Sequence, residues 1–267
     1  MTKTTSLETE EIRGYVRERY GAIAEQAPDA CGCMSGGCCG EGGRSYGERL
    51  GYTAEQLASA PAGADLGLGC GNPLAIASIR PGETVLDLGS GAGFDCFLAA
   101  RQLAGTGNVI GVDMTAAMIT KARANARKGD FANVEFRLGE IEALPVADAS
   151  VDLILSNCVI NLSPEKERVF REAFRVLKPG GRLAIADVVA TRALPEALKT
   201  KLATIGACIG GATPIDELRV GLAAAGFERV EIVAKESSRD YIRQWTEDST
   251  AGDFVVSATI TAYKPGA

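Results

Sequence analysis

Apolar positions recur along the chain at two spacings, and the change from one to the other predicts an α/β architecture. Ile12, Val16, Tyr20 and Ile23 stand at helical spacing and mark an amphipathic helix from near Leu7 to Gln26, which Pro28 helps to end. From residue 84 onward short apolar runs alternate with longer amphipathic ones. They predict strands at 84–88, 108–112, 134–138, 151–156 and 182–189, and helices at 92–104, 115–128 and 164–177. Ser163 and Pro164 start the last of these helices, and Lys178-Pro179-Gly180-Gly181 stops it. Such alternation implies a mostly parallel sheet with right-handed crossovers and helices on both faces. Residues 191–226 read as a helical insert broken at Cys208-Ile209-Gly210-Gly211, expected to act as a lid, and two strands at 230–234 and 254–263 finish the chain. The organisation expected is a helical and Cys/Gly-rich extension over 1–69, a ligand-binding core over 70–190, and a substrate-covering insert with final strands over 191–267.

Composition narrows the function. The 267 residues, 46% of them hydrophobic, suffice for one good-sized core with additions. A net charge of -6 argues against a nucleic-acid partner, whose phosphates call for a basic stripe. The polar, acidic stretch Met1–Glu11 and the lack of any apolar run near the roughly 18 residues of a membrane span point to a cytoplasmic protein with no membrane partner. Eight cysteines in a reducing compartment argue for metal, metalloid or thiol chemistry rather than for disulfides. Histidine is absent, which removes Ser-His and Cys-His hydrolysis and His-ligated zinc together.

The most informative segment is Val85-Leu86-Asp87-Leu88-Gly89-Ser90-Gly91-Ala92-Gly93-Phe94, where an apolar strand runs into glycines spaced two apart. Glycines at 89, 91 and 93 let the chain turn tightly and bring bare backbone against a ligand. A dinucleotide fingerprint needs a glycine where Phe94 stands, so that reading fails. Asp87, at the strand end, suits a ligand carrying an ammonium group. Asp113, closing the second strand, is the candidate acceptor for ribose hydroxyls. Glu140 and Ile141, after the third strand, are candidates for a polar edge contact and an apolar face against an adenine. The turn resembles that of S-adenosylmethionine-dependent methyltransferases. The candidate donor contacts are Asp87, Gly89, Ser90, Gly91, Gly93, Asp113, Met114, Glu140, Ile141 and Asn157.

Three cysteines fall at separate segments near the carboxyl edge of this sheet: Cys158 just past the fourth strand, Cys208 in the insert, and Cys70 in the turn before the first strand. Cys158 and Cys208 stand in the words Ser156-Asn157-Cys158-Val159-Ile160-Asn161-Leu162 and Cys208-Ile209-Gly210-Gly211-Ala212. With Asp87-Leu88-Gly89-Ser90-Gly91, Asp95-Cys96, Val112-Asp113-Met114-Thr115, Arg175-Val176-Leu177-Lys178 and the ending Phe254 to Thr259, the chain from about Cys70 onward resembles the S-adenosylmethionine-dependent arsenite methyltransferases.

The resemblance implies a Rossmann-like methyltransferase sheet, with S-adenosyl-L-methionine as methyl donor. It also implies arsenite or an arsenic-thiol conjugate as substrate and a thiol reductant such as glutathione or thioredoxin. Cys158 and Cys208 are then arsenic ligands, joined by Cys70 and by an upstream cysteine among Cys31, Cys33, Cys38 and Cys39, with Cys38 and Cys39 retained as candidates. Cys96 is expected to be packed. Trivalent arsenic is soft and thiophilic, so thiolates are its natural ligands. Two other readings stay open: a methyltransferase acting on a thiol, a quinone or another metalloid, and a thiol-rich metal-binding module built on the Cys31–Cys39 loop.

Overall fold

The computed structural model describes residues 9–25, 45–245 and 249–266. Its centre is a sheet of β1 (Thr84–Leu88), β2 (Asn108–Asp113), β3 (Val134–Leu138), β4 (Val151–Asn157), β5 (Leu177–Ala190), β6 (Thr213–Pro214), β7 (Glu228–Lys235) and β8 (Val255–Tyr263). The strands lie in the order β3-β2-β1-β4-β5-β8-β7, with the short β6 beside β5. The first five run parallel, and β8 returns antiparallel between β5 and β7. The strand order reverses between β1 and β4, which opens a crevice at their carboxyl ends.

The helices are α1 (Thr9–Glu25), α2 (Tyr46–Leu50), α3 (Ala54–Ser59), α4 (Leu74–Ala77), α5 (Phe94–Gln102), α6 (Ala116–Lys128), α7 (Lys166–Val176), α8 (Glu196–Lys199), α9 (Leu202–Gly206), α10 (Ile215–Ala224) and α11 (Arg239–Ile242). The central parallel strands β1 and β4 are covered on both faces and are largely apolar, whereas the edge strand β3 alternates, with Glu135 and Arg137 on its solvent side. Successive side chains still point to opposite faces. Val85 joins Phe97, Leu103, Val109 and Leu153 on one side, while Leu86 and Leu88 join Ile154, Phe170, Val176 and Ile185 on the other.

Expected and observed elements agree closely from β1 to β4. Two boundaries differ for local reasons. Ser163 does not open the seventh helix: its hydroxyl donates to Glu142 at 2.6 Å and accepts from the Glu165 amide, and regular helix begins at Lys166. Nor do Lys178 to Gly181 interrupt β5. Gly180 takes a φ of 80° and its amide reaches the Lys264 carbonyl, so the strand passes through as an irregularity in its pairing with β4. The short helices α2, α3 and α4 lie in the stretch before β1. The first two are each closed by a reciprocal capping box, Ser45 with Glu48 and Thr53 with Gln56. No helix among the described residues is long and apolar enough to cross a membrane.

Candidate active site

The crevice at the carboxyl ends of β1, β2 and β4 is a cleft with about 1210 Å³ of empty space, open solvent at its mouth included. Its floor is the glycine turn together with Asp113, Met114, Thr115, Gly139, Ile141, Asn157, Cys158 and Val159. Its cover comes from Arg13, Val16 and Tyr20 of α1 and from residues 46–69. The insert at 191–226, expected to close over the donor, contributes no lining residue. It sits instead against the cysteine side of the same edge, where it carries Cys208.

The turn is shaped as bare backbone requires. Gly89, Gly91 and Gly93 have φ of 65°, 52° and 96°. A Cβ on Gly89 would stand 2.4 Å from Val159, and one on Gly93 would stand 2.7 Å from Phe97 and Phe136. A Cβ on Gly91 would meet no atom within 4 Å, so that backbone looks onto open space. Ser90 Oγ, buried in the same wall, has no hydrogen-bond partner. Asp113 Oδ2 accepts the Gly91 amide at 3.0 Å and Oδ1 accepts the Thr115 amide at 2.8 Å, which fixes its carboxylate beside the turn. Burial pushes its pKa up against these bonds. The cradle, the orphaned hydroxyl and the fixed carboxylate together fit a nucleoside carrying an amino-acid tail.

Glu140 is placed differently from its expected role. Its carboxylate is engaged by Arg13 and Arg17 of α1 and does not line the cleft, whereas Ile141 does. Arg13 also pairs with Glu165 at 2.6 Å and approaches Glu142 at 3.4 Å, so α1 is held over the cleft by a cluster of ion pairs.

On the other side of Asn157 the cysteines gather. Cys70 and Cys158 form a disulfide, which overturns the expectation that the thiols stay unpaired. A carboxylate oxygen of Asp187 lies within 4.8 Å of both sulfurs. Asp187 accepts the Ile160 and Val188 amides and the Asn161 side chain, which seat the loop carrying Cys158, and burial raises its pKa to about 6. Cys208 is a free, buried thiol whose hydrogen goes to the Cys158 carbonyl at 2.8 Å. Burial, with Asp187 nearby, pushes that thiol's pKa well up. Both Cys158 (φ 57°) and Cys208 (φ 62°) occupy the left-handed region, a strained conformation for residues other than glycine. Cys31, Cys33, Cys38 and Cys39 lie outside the described residues. Cys96 is buried as expected, its thiol donating to Asp87 at 3.2 Å.

A methyltransferase-domain family model matches residues 79–248. The arsenite methyltransferase of Halobacterium salinarum is 54% identical over 99% of this chain and 69% of its own length. The chain belongs to the arsenite methyltransferase family. The arsenite methyltransferase of Aquipseudomonas alcaligenes is 49% identical over 54% of this chain and 43% of its own. Among solved structures, the arsenic(III) S-adenosylmethionine methyltransferase of Chlamydomonas reinhardtii superposes with a TM-score of 0.60 at 31% identity, covering 84% of this chain and 75% of that one.

Within this family member several side chains hold the site together, among them Asn157, which the sequence offered only as a donor contact. Asn157 Oδ1 accepts the Cys70 amide at 3.0 Å, and its Nδ2 reaches the Gly71 carbonyl at 2.9 Å, so one amide clamps the Cys70 turn as a neighbouring strand would. Tyr241 and Ser257 both donate to the Cys70 carbonyl, and Tyr46 donates to that of Gly69. Tyr52 donates to Asp95 at 2.6 Å. Asn157, Asp95 and Ser257 stood in the family words, whereas Tyr46, Tyr52 and Tyr241 carried no signal.

Proposed function

We propose that this protein transfers a methyl group from S-adenosylmethionine to trivalent arsenic held by Cys158, Cys208 and Cys70. The observation that carries the reading is the double position of Cys158. It lines the donor cleft, its sulfur is bonded to Cys70, and its carbonyl takes the Cys208 thiol. A thiophilic substrate gathered there sits at the rim of the cleft.

Bound in the cleft, the donor supplies an electrophilic methyl group on a sulfonium. In this reading Asp113 accepts from its ribose hydroxyls, the amides of the glycine turn and Met114 border the nucleoside, Ile141 packs on its base, and Asp87 faces its ammonium. Asn157 keeps the Cys70 turn in register with this arrangement.

Arsenite brings its own proton acceptors. Each thiol that replaces an arsenic-bound hydroxyl gives its proton to that hydroxyl and releases one water, so a buried thiol with a raised pKa needs no separate base. Three thiolates leave the arsenic lone pair directed outward as nucleophile. Nothing has to deprotonate the substrate, which is consistent with a chain without histidine. Catalysis then rests on holding the reacting atoms in line, an effect worth about 7–11 kcal/mol where geometry is good. Cys70 and Cys158 must first be reduced, two electrons and two protons coming from a thiol reductant such as glutathione or thioredoxin, a requirement that a cytoplasmic setting would meet.

The test is incubation with labelled S-adenosylmethionine, arsenite and excess glutathione, followed by chromatography of the arsenic species. Label in methylated arsenic is the expected result. Donor binding with no methylated arsenic would overturn the acceptor.

A further inference from the structure

Two carboxylates are buried in the donor cleft without a cation. Asp87 and Asp95 are 3% and 7% exposed and both line it. Among the described residues no ion pair includes either one. Asp87 Oδ2 accepts the thiol of Cys96, a weak donor, at 3.2 Å. Asp95 accepts the Tyr52 hydroxyl on Oδ1 at 2.6 Å and the Asn157 amide on Oδ2 at 3.1 Å. None of these partners is charged, so burial pushes both pKa values up, that of Asp95 to about 6, and a cation seated beside them would favour the ionised forms that burial alone makes costly. The arrangement calls for a cationic ligand with two positive centres.

Asn157 separates the roles of the two acids. The same side chain that donates to Asp95 holds the Cys70 amide and the Gly71 carbonyl. Asp95 therefore stands one side chain away from the thiol turn. Asp87 lies on the strand beneath, in contact with the helix that carries Cys96. Resting on the proposed reaction, we infer that Asp95 faces the donor's sulfonium and Asp87 its ammonium, so that Asp95 makes the cleft prefer the methylated donor to its demethylated product. The ammonium is present before and after transfer. The sulfonium is not: when the methyl leaves as a cation to arsenic, sulfur keeps the bonding pair and becomes a neutral thioether. Asp95 then loses its counter-charge, which favours release of the product.

The test is calorimetric binding to the reduced full chain at pH 8 without arsenic. The ligands are S-adenosylmethionine, S-adenosylhomocysteine and sinefungin, in which a protonated amine replaces the methylated sulfur. The wild-type chain should bind the two charged ligands about tenfold more tightly than S-adenosylhomocysteine, the scale of one partly solvated charge pair. D95N should erase that preference by weakening the charged ligands alone, D95E should retain it, and D87N should weaken all three alike. Equal binding of the three ligands by the wild-type chain overturns the inference whatever the variants do, as does a D95N that weakens all three equally. If none of the three binds, the proposed reaction itself falls.

Discussion

The thiol of Cys208 donates a hydrogen bond to the carbonyl oxygen of Cys158 at 2.8 Å. Two segments far apart in sequence thereby meet at one point, and Lys166, bonded to the Gly211 carbonyl, tightens the same junction. A hydroxyl can make the bond but not bind arsenic strongly. Cys208→Ser should therefore fold and bind donor as the wild-type chain does, while arsenite methylation falls by about 100-fold or more, the scale of a misplaced reacting atom. Donor calorimetry beside product chromatography checks both halves.

The backbone at position 208 makes a second, less intuitive expectation. Alanine is ordinarily the better residue for stability, but at a φ of 62° its Cβ is strained and glycine is not. Cys208→Gly should therefore be more stable than Cys208→Ala by about 1 kcal/mol. Urea midpoints of the two variants decide it, and the usual order would show that the turn relaxes out of the left-handed region.

The Cys70–Cys158 bond closes a loop with a sequence separation of 88 residues. On the loop-entropy account its reduction should cost about 4.6 kcal/mol and lower the thermal midpoint by roughly 10 °C. The same reduction should be required before arsenite binds. Calorimetric scans and arsenite titrations with and without a phosphine reductant test the two consequences together.

Asp187 gives the pH dependence a definite sign. Burial raises its pKa from 3.8 to about 6, so the native chain holds this proton at pH values where the unfolded chain has released it. Its contribution to stability is complete below 3.8 and is lost as the pH rises through about 6, roughly 3 kcal/mol in all. Asp187→Asn does not titrate. Relative to wild type it should gain about that amount between pH 4 and pH 7, read from urea midpoints across the range.

The proposed donor half of the site was legible because its chemistry is local. A strand, an acid and three glycines within ten residues prescribe a turn, and Asp113 follows from the next strand end. The proposed arsenic half was legible only as isolated thiols in unusual words. Which cysteines pair depends on the Asn157 clamp across the sheet edge, and no sequence period encodes that contact. Tyr52 escaped for the same reason, and Asp95, though part of a family word, had no assigned role: each looks like an ordinary loop or helix residue until the chain brings them together. Glu140 shows the converse: it stands after β3, where the sequence pattern puts it, while its carboxylate pairs with Arg13 and Arg17 from the far end of the chain.

Helix α1 borders the donor cleft through Arg13, Val16 and Tyr20, and the Tyr20 hydroxyl also reaches the Gly206 carbonyl, two residues before Cys208. One rigid rod thus touches the chambers of both reactants. Thermodynamic linkage then imposes a symmetry: by whatever factor donor occupancy alters the dissociation constant for arsenite, arsenite must alter that for the donor equally. The order in which the reactants are added can change how quickly the ternary complex forms, but never how much of it there is at equilibrium.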